Sequence, residues 1–570
     1  MRDERVFGLN RFASIVHRPR IIAFLIVAIV LTYGVVYPNL HVLIASFTRD
    51  KAWTLSNYTQ AFSQSSTLEA MWSSVLLSLL TVGLCALVGI PLAFVFERYE
   101  FPARRVFATL AALPLVLPPL VGTVAFVFLC GESGILARLV QKAFNLNASP
   151  WSLRGWGALL LFHTYTMYPF FYMLVGAGLR RIDAGLSEAA RSLGAGPIRT
   201  LVRVVFPQLT PSLVAAGLLT FMTSMASFSA PLFFGGQVRL LTLEIFTARQ
   251  RGDVATALTE TVMLAAISLL ALFFFQRYEG TRQFVSAAMK GTTKRRAVIK
   301  SGKARALAAL VGVGLALILA LPVVTLVIIS FARDGVWTTQ LLPPEYTIDN
   351  YRRIVTREDA SGPLVNSLLM AGLAALAALV WSFCVTSLVE GRRTVGRRVI
   401  SLLILIPWAL PGPVVAVAIA EAYGKENLFT GSYILVGTFW ILPVIYFLRF
   451  MPLVVRSVQV SMEQMDPALE EAASSLGARW WRRFVSVRLP LILPGAIAGT
   501  LLVFVIALGE YVASVLVYVP RNRPISIAIA AAMRDFNLGT AAAYGVVLIL
   551  FIALTMIAAS RIERASDSSA

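Results

Sequence analysis

The chain has 570 residues, of which 58% are hydrophobic and 14% are charged, and its formal net charge is +21. Soluble domains carry about 25% charged residues, so this composition excludes a water-soluble globular protein and indicates a polytopic membrane protein. The positive charge does not indicate nucleic-acid binding, because the basic residues lie at the ends of apolar segments, as the positive-inside rule expects.

Twelve apolar stretches are long enough to cross a bilayer, which takes about 20 helical residues. In chain order they lie near 21–47, 71–96, 106–130, 156–178, 212–234, 259–276, 306–332, 364–389, 399–422, 432–454, 491–515 and 540–560. The predicted fold is therefore an all-α polytopic membrane protein with about 12 transmembrane helices. Lys and Arg are about twice as numerous in the loops on the side of the termini as in the opposite loops, which predicts cytoplasmic N- and C-termini.

The first and last six spans are copies of each other. Residues 188–194 read EAARSLG, and residues 471–477 read EAASSLG, an interval of 283 from Glu188 to Glu471. We therefore predict a first repeat over 1–276, a basic cytoplasmic linker over 277–305 and a second repeat over 306–570. Each repeat has an even number of spans, so the two repeats should be parallel, related by an axis along the membrane normal.

The first apolar stretch follows a basic start, which would also suit a cleaved signal peptide. Its end, Ser46-Phe47, recurs inside the chain as Ser330-Phe331, and this internal copy cannot be a signal peptide. We therefore expect the first stretch to be a retained span.

The two copies of this heptapeptide lie in two predicted cytoplasmic loops, 183–211 and 466–494. Asp183 and Asp466 precede each copy and suit a helix N-cap, while Gly194 and Gly477 suit a left-handed C-terminus. A lipid-facing amphipathic loop could account for one such copy. Two copies in register instead predict short helices that dock on a repeated partner.

This pattern resembles the EAA signature of the membrane subunits of binding-protein-dependent ABC importers, in which the loop forms a coupling helix that binds an ATPase subunit. The resemblance implies the type I importer fold. It assigns ATPase coupling to the residues that match the signature: Glu188, Ala189, Ala190, Gly194, Glu471, Ala472, Ala473 and Gly477. The closing Leu-Pro pair is present as Leu489-Pro490, whereas the first copy departs from it with Phe206-Pro207.

The same resemblance implies two kinds of partner, a dimer of ABC ATPase subunits in the cytoplasm and a periplasmic or lipid-anchored substrate-binding protein. It also implies the bacterial inner membrane as the location. The chain itself has no G-x-x-x-x-G-K-[ST] sequence, so ATP is expected to bind the partner subunits. No catalytic residue, cofactor site or metal site is predicted, since the three cysteines and three histidines show no ligand or triad spacing.

An ionisable residue inside a span indicates function by default. Glu510 is such a residue, expected roughly 7–8 Å below the outer end of its helix at ~1.5 Å per residue. We expect the translocation pathway to be lined by Ser227, Ser229, Glu510, Tyr511 and Ser514. The alternative is that Glu510 reaches the interface or makes a structural pair. His163 and Glu421 are weaker candidates for the same pathway.

The cargo is less constrained. The fused length and the sequence Phe228-Ser229-Ala230-Pro231 before Gly235-Gly236 resemble ferric-iron permeases. Permeases for thiamine, phosphonate, polyamine and sugar phosphate look similar. A secondary transporter driven by an ion gradient is the rival class, and the paired EAA loops and the scarcity of ionisable groups disfavour it.

Overall fold

The computed structural model describes residues 22–49, 52–280, 297–299, 301–337, 340–389, 395–426 and 431–569. Within these residues, 11 helices are long and apolar enough to cross a membrane. A twelfth span results if the bent pair Gly396–Ala409 and Gly412–Ala422 counts as one. The predicted all-α polytopic membrane fold is confirmed. Most of the predicted linker lies outside the described residues.

The elements of the first half follow one another through short connections. They are α1 Ile22–Ser46, β1 Thr48–Arg49, β2 Ala52–Trp53, α2 Ser56–Ser63, α3 Ser65–Arg98, β3 Tyr99–Glu100, α4 Arg104–Leu110, α5 Pro119–Cys130, α6 Ile135–Phe144, α7 Gly155–Arg181, α8 Ala184–Ser192, α9 Pro197–Met225, α10 Ser229–Phe234, α11 Leu241–Gln250 and α12 Val254–Gly280. Strands β1 and β2 form an antiparallel hairpin that pairs Thr48 with Trp53.

The second half repeats this order with small changes. Its elements are β4 Ala297–Val298, α13 Gly302–Ser330, α14 Asp349–Thr356, α15 Glu358–Val389, α16 Val395–Ala409, α17 Gly412–Ala422, α18 Ile441–Gln464, α19 Pro467–Ser475, α20 Trp481–Leu508, α21 Ser514–Val517, α22 Ile525–Arg534 and α23 Leu538–Ser569. Strand β4 pairs in parallel with β3 at the end of α3.

The third span of each repeat is broken, contrary to the continuous helices predicted over 106–130 and 399–422. Helices α16 and α17 meet at 106°, and α4 is likewise separated from α5. Prolines lie at each break, Pro114 and Pro118 in the first copy and Pro411 in the second, and proline lacks the amide hydrogen and clashes with the preceding turn. Pro407 lies inside α16 and does not interrupt it. The helices after the breaks, α5 and α17, are almost wholly buried, as expected for helices that are apolar all round.

Contacts divide the chain into two compact units. Unit one contains the described parts of residues 1–46, 356–528 and 547–570. In it α15, α18 and α20 pack against one another, and α1 packs against α17. Gly499 of α20 lies so close to α18 that a Cβ there would be 2.7 Å from Cβ of Ser457, which shows how a small residue allows close helix approach.

Unit two contains residues 47–355 and 529–546. Helices α3, α7 and α9 form its largest packed group, and α13 packs against α5. At Gly89 a Cβ would be 2.6 Å from Cβ of Phe171, so α3 and α7 approach as closely as α18 and α20 do. Each unit therefore includes the first helix of the opposite repeat, α1 in unit one and α13 in unit two.

The connection after α13 in unit two caps a membrane helix. Oδ1 of Asp334 accepts hydrogen bonds from the amides of Gly539 (2.8 Å) and Thr540 (3.2 Å), and Oδ2 accepts one from the hydroxyl of Thr540 (2.7 Å). These amides are in the first turn of α23, where no intrahelical acceptor exists. A guanidinium nitrogen of Arg353 lies 3.2 Å from Oδ2.

Candidate functional site

The repeated loops form two short helices, α8 and α19, with the same cap at their start. A side-chain oxygen of Asp183 accepts the amide of Gly185 at 2.9 Å, and one of Asp466 accepts the amide of Ala468 at 2.9 Å. The predicted N-caps are therefore confirmed. An aspartate satisfies amides that the first helical turn leaves without partners.

Both helices also end in the same way. Gly194 and Gly477 each have φ +80°, the left-handed conformation predicted for them. The amide of Ala195 donates to the carbonyl of Ala190 at 2.9 Å, and that of Ala478 donates to Ala473 at 3.0 Å. This bond from the residue after the glycine back into the last turn closes the helix and fixes the direction of the following chain.

The exposed faces of the two helices match as well. Leu193 and Leu476, just before the glycines, are each 88% exposed. Of the predicted coupling residues, Glu188, Ala189, Glu471 and Ala472 are exposed and Ala190 and Ala473 are half-buried. Large apolar side chains that project this far next to small residues are typical of a binding surface.

Each short helix leads into a long membrane helix through a π-helical turn. The turns are Leu201–Val205 in α9 and Phe484–Arg488 in α20. Pro207 and Pro490 precede the predicted spans, which begin near 212 and 491. The structure instead continues the helix through both prolines, since the wider π turn relieves the clash of the proline ring with the preceding carbonyl.

The predicted pathway residues lie where α9 and α20 end. Helix α9 stops at Met225 and the short α10 starts at Ser229, so the predicted continuous span 212–234 is wrong. Helix α20 stops at Leu508, so the span predicted over 491–515 is wrong as well. Glu510 lies in the break before α21 rather than inside a helix.

In unit two, a buried histidine contacts the break after α9. Nε2 of His163 lies 2.9 Å from Oγ of Ser227, and Nδ1 lies 3.2 Å from Oγ of Ser224. The hydroxyl of Thr242 donates to the carbonyl of Ser227 at 2.8 Å. Oγ of Ser229 is buried and has no hydrogen-bond partner among the described residues.

In unit one, Glu510 organises the break after α20. Its Oε2 lies 2.6 Å from Nη1 of Arg449, and its Oε1 accepts the amide of Ala513 at 2.9 Å. Its carbonyl accepts the hydroxyls of Ser514 (2.9 Å) and Ser526 (2.8 Å). Glu510 is only 7% exposed, so it forms a buried ion pair where the helix is interrupted.

The remaining predicted pathway residues of unit one are buried beside that pair. Oγ of Ser514 is 2.7 Å from the hydroxyl of Tyr446, and Tyr511 is buried. Tyr446 and Glu510 occupy the positions of His163 and Ser227 at the 283-residue interval. Both breaks are therefore held by polar side chains of the fourth span, with different chemistry.

Arg449 was not predicted to be the partner of Glu510. The signal was present, because Arg449 is the one basic residue within a predicted span. A single buried charge in an apolar segment calls for a counter-ion. Among the described residues, no group of three His, Cys, Asp or Glu side chains is arranged to hold a metal ion.

Comparisons with known proteins give consistent matches. The family described as "Binding-protein-dependent transport system inner membrane component" matches residues 86–280 and 382–567. The ABC transporter permease y4fN of Sinorhizobium fredii is 31% identical over 464 residues, 81% of each chain. The ferric transport system permease FbpB of Actinobacillus pleuropneumoniae is 24% identical over 542 residues, 93% of this chain and 76% of its own.

A third relative has a different cargo in its name. The spermidine/putrescine transport system permease PotB of Haemophilus influenzae is 27% identical over 259 residues, 44% of this chain and 90% of its own. Nearly the whole of that relative therefore aligns with less than half of this chain.

Proposed function

Because this chain belongs to the family of binding-protein-dependent inner-membrane transport components, we propose that it forms the whole membrane portion of an ATP-driven importer. Both permease repeats are fused in one polypeptide. The chain lies in the bacterial inner membrane with both termini in the cytoplasm. It has no ATPase site of its own, and a substrate-binding protein delivers the cargo from the opposite side.

The pair of matched short helices, α8 and α19, is the observation that supports this function most directly. Their caps, left-handed glycines and exposed leucines agree in detail although the surrounding sequences differ. A partner with two equivalent surfaces requires two equivalent docking elements. A dimer of ABC ATPase subunits has such surfaces, so we assign coupling to Glu188, Ala189, Ala190, Gly194, Glu471, Ala472, Ala473 and Gly477.

The coupling assignment is tested with Glu471→Lys in the full chain. We expect weaker co-purification of the ATPase and reduced uptake, while the amount of inserted chain is unchanged. Glu463→Lys, an exposed glutamate near the end of α18, is the matched control for charge reversal and should retain both. Normal uptake by the Glu471→Lys chain would count against the assigned role.

For the cargo we propose ferric iron. The support is that a relative aligned over most of this chain carries ferric transport in its name. Thiamine, phosphonate, polyamine or sugar phosphate would fit the same architecture. One relative of this chain carries spermidine/putrescine transport in its name. Uptake of radioactive ferric iron by cells with the complete importer, compared with labelled spermidine, separates these cargoes. Spermidine uptake without iron uptake would overturn the iron proposal.

For the pathway we propose the segments at the two breaks, with Ser227, Ser229, Glu510, Tyr511 and Ser514 along the route. They are polar groups within otherwise apolar packing, as a route for a polar cargo needs. Alternating access would follow when the ATPase subunits close on ATP and move α8 and α19. Transport by reconstituted chain on an ion gradient alone, without ATPase, would refute the importer and favour a secondary transporter.

A further inference from the structure

An ion pair joins the short helix α19 to the long helix that follows it. Nε of Arg488 lies 2.7 Å from Oε1 of Glu470, and Nη2 lies 3.0 Å from Oε2. Both side chains are more than two-thirds buried. A guanidinium that holds both oxygens of one carboxylate fixes orientation as well as distance, and it is one of the stronger contacts that side chains make.

The position of this ion pair gives it a mechanical consequence. Arg488 is the last residue of the π-helical turn Phe484–Arg488, and Glu470 lies directly before the coupling residue Glu471. The pair therefore ties the coupling helix to the far side of the π turn. Such turns depart from the regular hydrogen-bond ladder and are frequent at functional sites.

The first repeat has the same π turn without this tie. Ser187 and Val205 occupy the positions of Glu470 and Arg488 at the 283-residue interval, and valine offers neither charge nor hydrogen bond. The loop in that repeat is anchored elsewhere, by an ion pair of Arg180 with Glu97. Arg180 is in the last turn of α7, before the short helix begins. That pair fixes the entry to α8, and no ion pair joins α8 to α9 at the two positions that Glu470 and Arg488 occupy in the second repeat.

We propose that Glu470 and Arg488 are positioning residues that make α19 and α20 one rigid coupling element, whereas α8 pivots against α9. The inference rests on the proposed importer function. It means that the two ATPase subunits drive the two repeats unequally, with the stronger transmission to the break that contains Glu510.

The length of α20 makes such a tie effective. From Leu489 to Leu508 it has 20 residues, about 30 Å at ~1.5 Å per residue. A pivot of roughly 10° at the π turn would displace the far end by about 5 Å over that length. A tie that prevents the pivot therefore delivers the movement of α19 to the break, where Glu510 pairs with Arg449.

The first test uses charge exchange in the complete importer. Arg488→Glu, which lies outside the docking helix α19, should keep ATPase attachment and ATP hydrolysis but lower transport per ATP by about fivefold or more, the lower end of the range for coupling between two sites. Glu470→Arg should lower the same ratio. The double variant Glu470→Arg/Arg488→Glu should recover most of the wild-type transport per ATP. Normal ratios in the single variants, or no recovery in the double variant, would overturn the inference.

The second test measures rigidity in both repeats with paired spin labels. In a background without Cys85, Cys130 and Cys384, labels at Ser474 and Leu491 report on α19 against α20, and labels at Arg191 and Gln208 report on the equivalent α8 against α9. All four positions are exposed. The distance in the second repeat should stay constant between nucleotide-free and ATP-bound importer, while that in the first repeat changes. Equal changes in both would overturn the inference.

The two proposals fail in different ways. If the wild-type chain shows no ATP-driven uptake, the importer function itself is wrong. If uptake is ATP-driven and the label distances change equally, the importer function stands and only the unequal coupling is wrong.

Discussion

Replacing Arg449 with methionine should destabilise the protein by leaving Glu510 charged and buried. The carboxylate is now 2.6 Å from the guanidinium and 7% exposed, and its other bond, from the amide of Ala513, would remain. Removing one partner of a buried ion pair costs about 3–5 kcal/mol, because the remaining charge keeps its desolvation penalty without compensation.

Removing the second charge as well should restore part of the lost stability. Arg449→Met/Glu510→Gln removes both charges while glutamine can still accept the amide of Ala513. The double variant should be more stable than Arg449→Met alone, with a coupling energy of about 2–3 kcal/mol. The free energy of unfolding of the detergent-solubilised chain, from denaturant titration, measures both effects.

Arg456→Met supplies the matched control, since Arg456 lies on the same helix and is exposed. An exposed arginine contributes about 0–1 kcal/mol, so this variant should unfold like the wild type. A loss below about 1 kcal/mol for Arg449→Met would refute the reasoning. So would a double variant less stable than the single one, because the pair would then not be the source of the stability.

Three further predictions concern positions where one contact dominates. Gly477→Ala should lower ATPase co-purification and destabilise the α19 terminus by about 1–2 kcal/mol, because φ is +80° there. Gly157→Ala, within α7 and with open space and no positive φ, is the control and should lower neither. His163→Leu should lower the melting temperature, since Ser224, which is buried, and Ser227, which is partly buried, lose a partner at about 1–3 kcal/mol for each group left unsatisfied; His163→Asn should lose less, and equal losses would contradict the hydrogen-bond account. Asp334→Ala should destabilise the start of α23 by about 1 kcal/mol, visible as faster amide exchange at Gly539 and Thr540; unchanged exchange would show that the cap is dispensable.

Much of the fold follows from local sequence, but the helix ends do not. Apolar runs of about 20 residues predicted the number of spans. The prolines at 114, 118, 407 and 411 are evident in the sequence. The sequence does not show whether each one kinks its helix, breaks it or is accommodated within it. Proline stands at the breaks of the third spans at Pro118 and Pro411, whereas Pro407 lies within α16, and Pro207 and Pro490 lie within α9 and α20 directly after a π turn. Which outcome occurs depends on what packs around the proline.

The candidate sites were also predicted only where they depend on residues close together in the sequence. The caps and glycines of α8 and α19 were predicted correctly, since a cap involves residues two or three apart and a left-handed glycine is a single-residue property. Glu510 was identified by its charge in an apolar run, and a structural pair was one of the alternatives for it, but the partner was not predicted. Its partner Arg449 comes from another helix, and so do the hydroxyls of Tyr446 and Ser526 that complete the break.

By itself the sequence determined the class of protein, the duplication and the two matched loops. These depend on composition, on segment length against bilayer thickness and on short-range turn chemistry, all of which can be read along the chain. Only the tertiary structure decided that α1 packs against α17 and α13 against α5, and that the long fifth-span helices stop short of the predicted ends. It also decided that Glu470 binds Arg488, an ion pair that Ser187 and Val205 cannot form at the equivalent positions. The physical reason is that apolar helices can pack against many neighbours. The choice among them is made by close approach and by buried charges between residues that lie far apart in sequence.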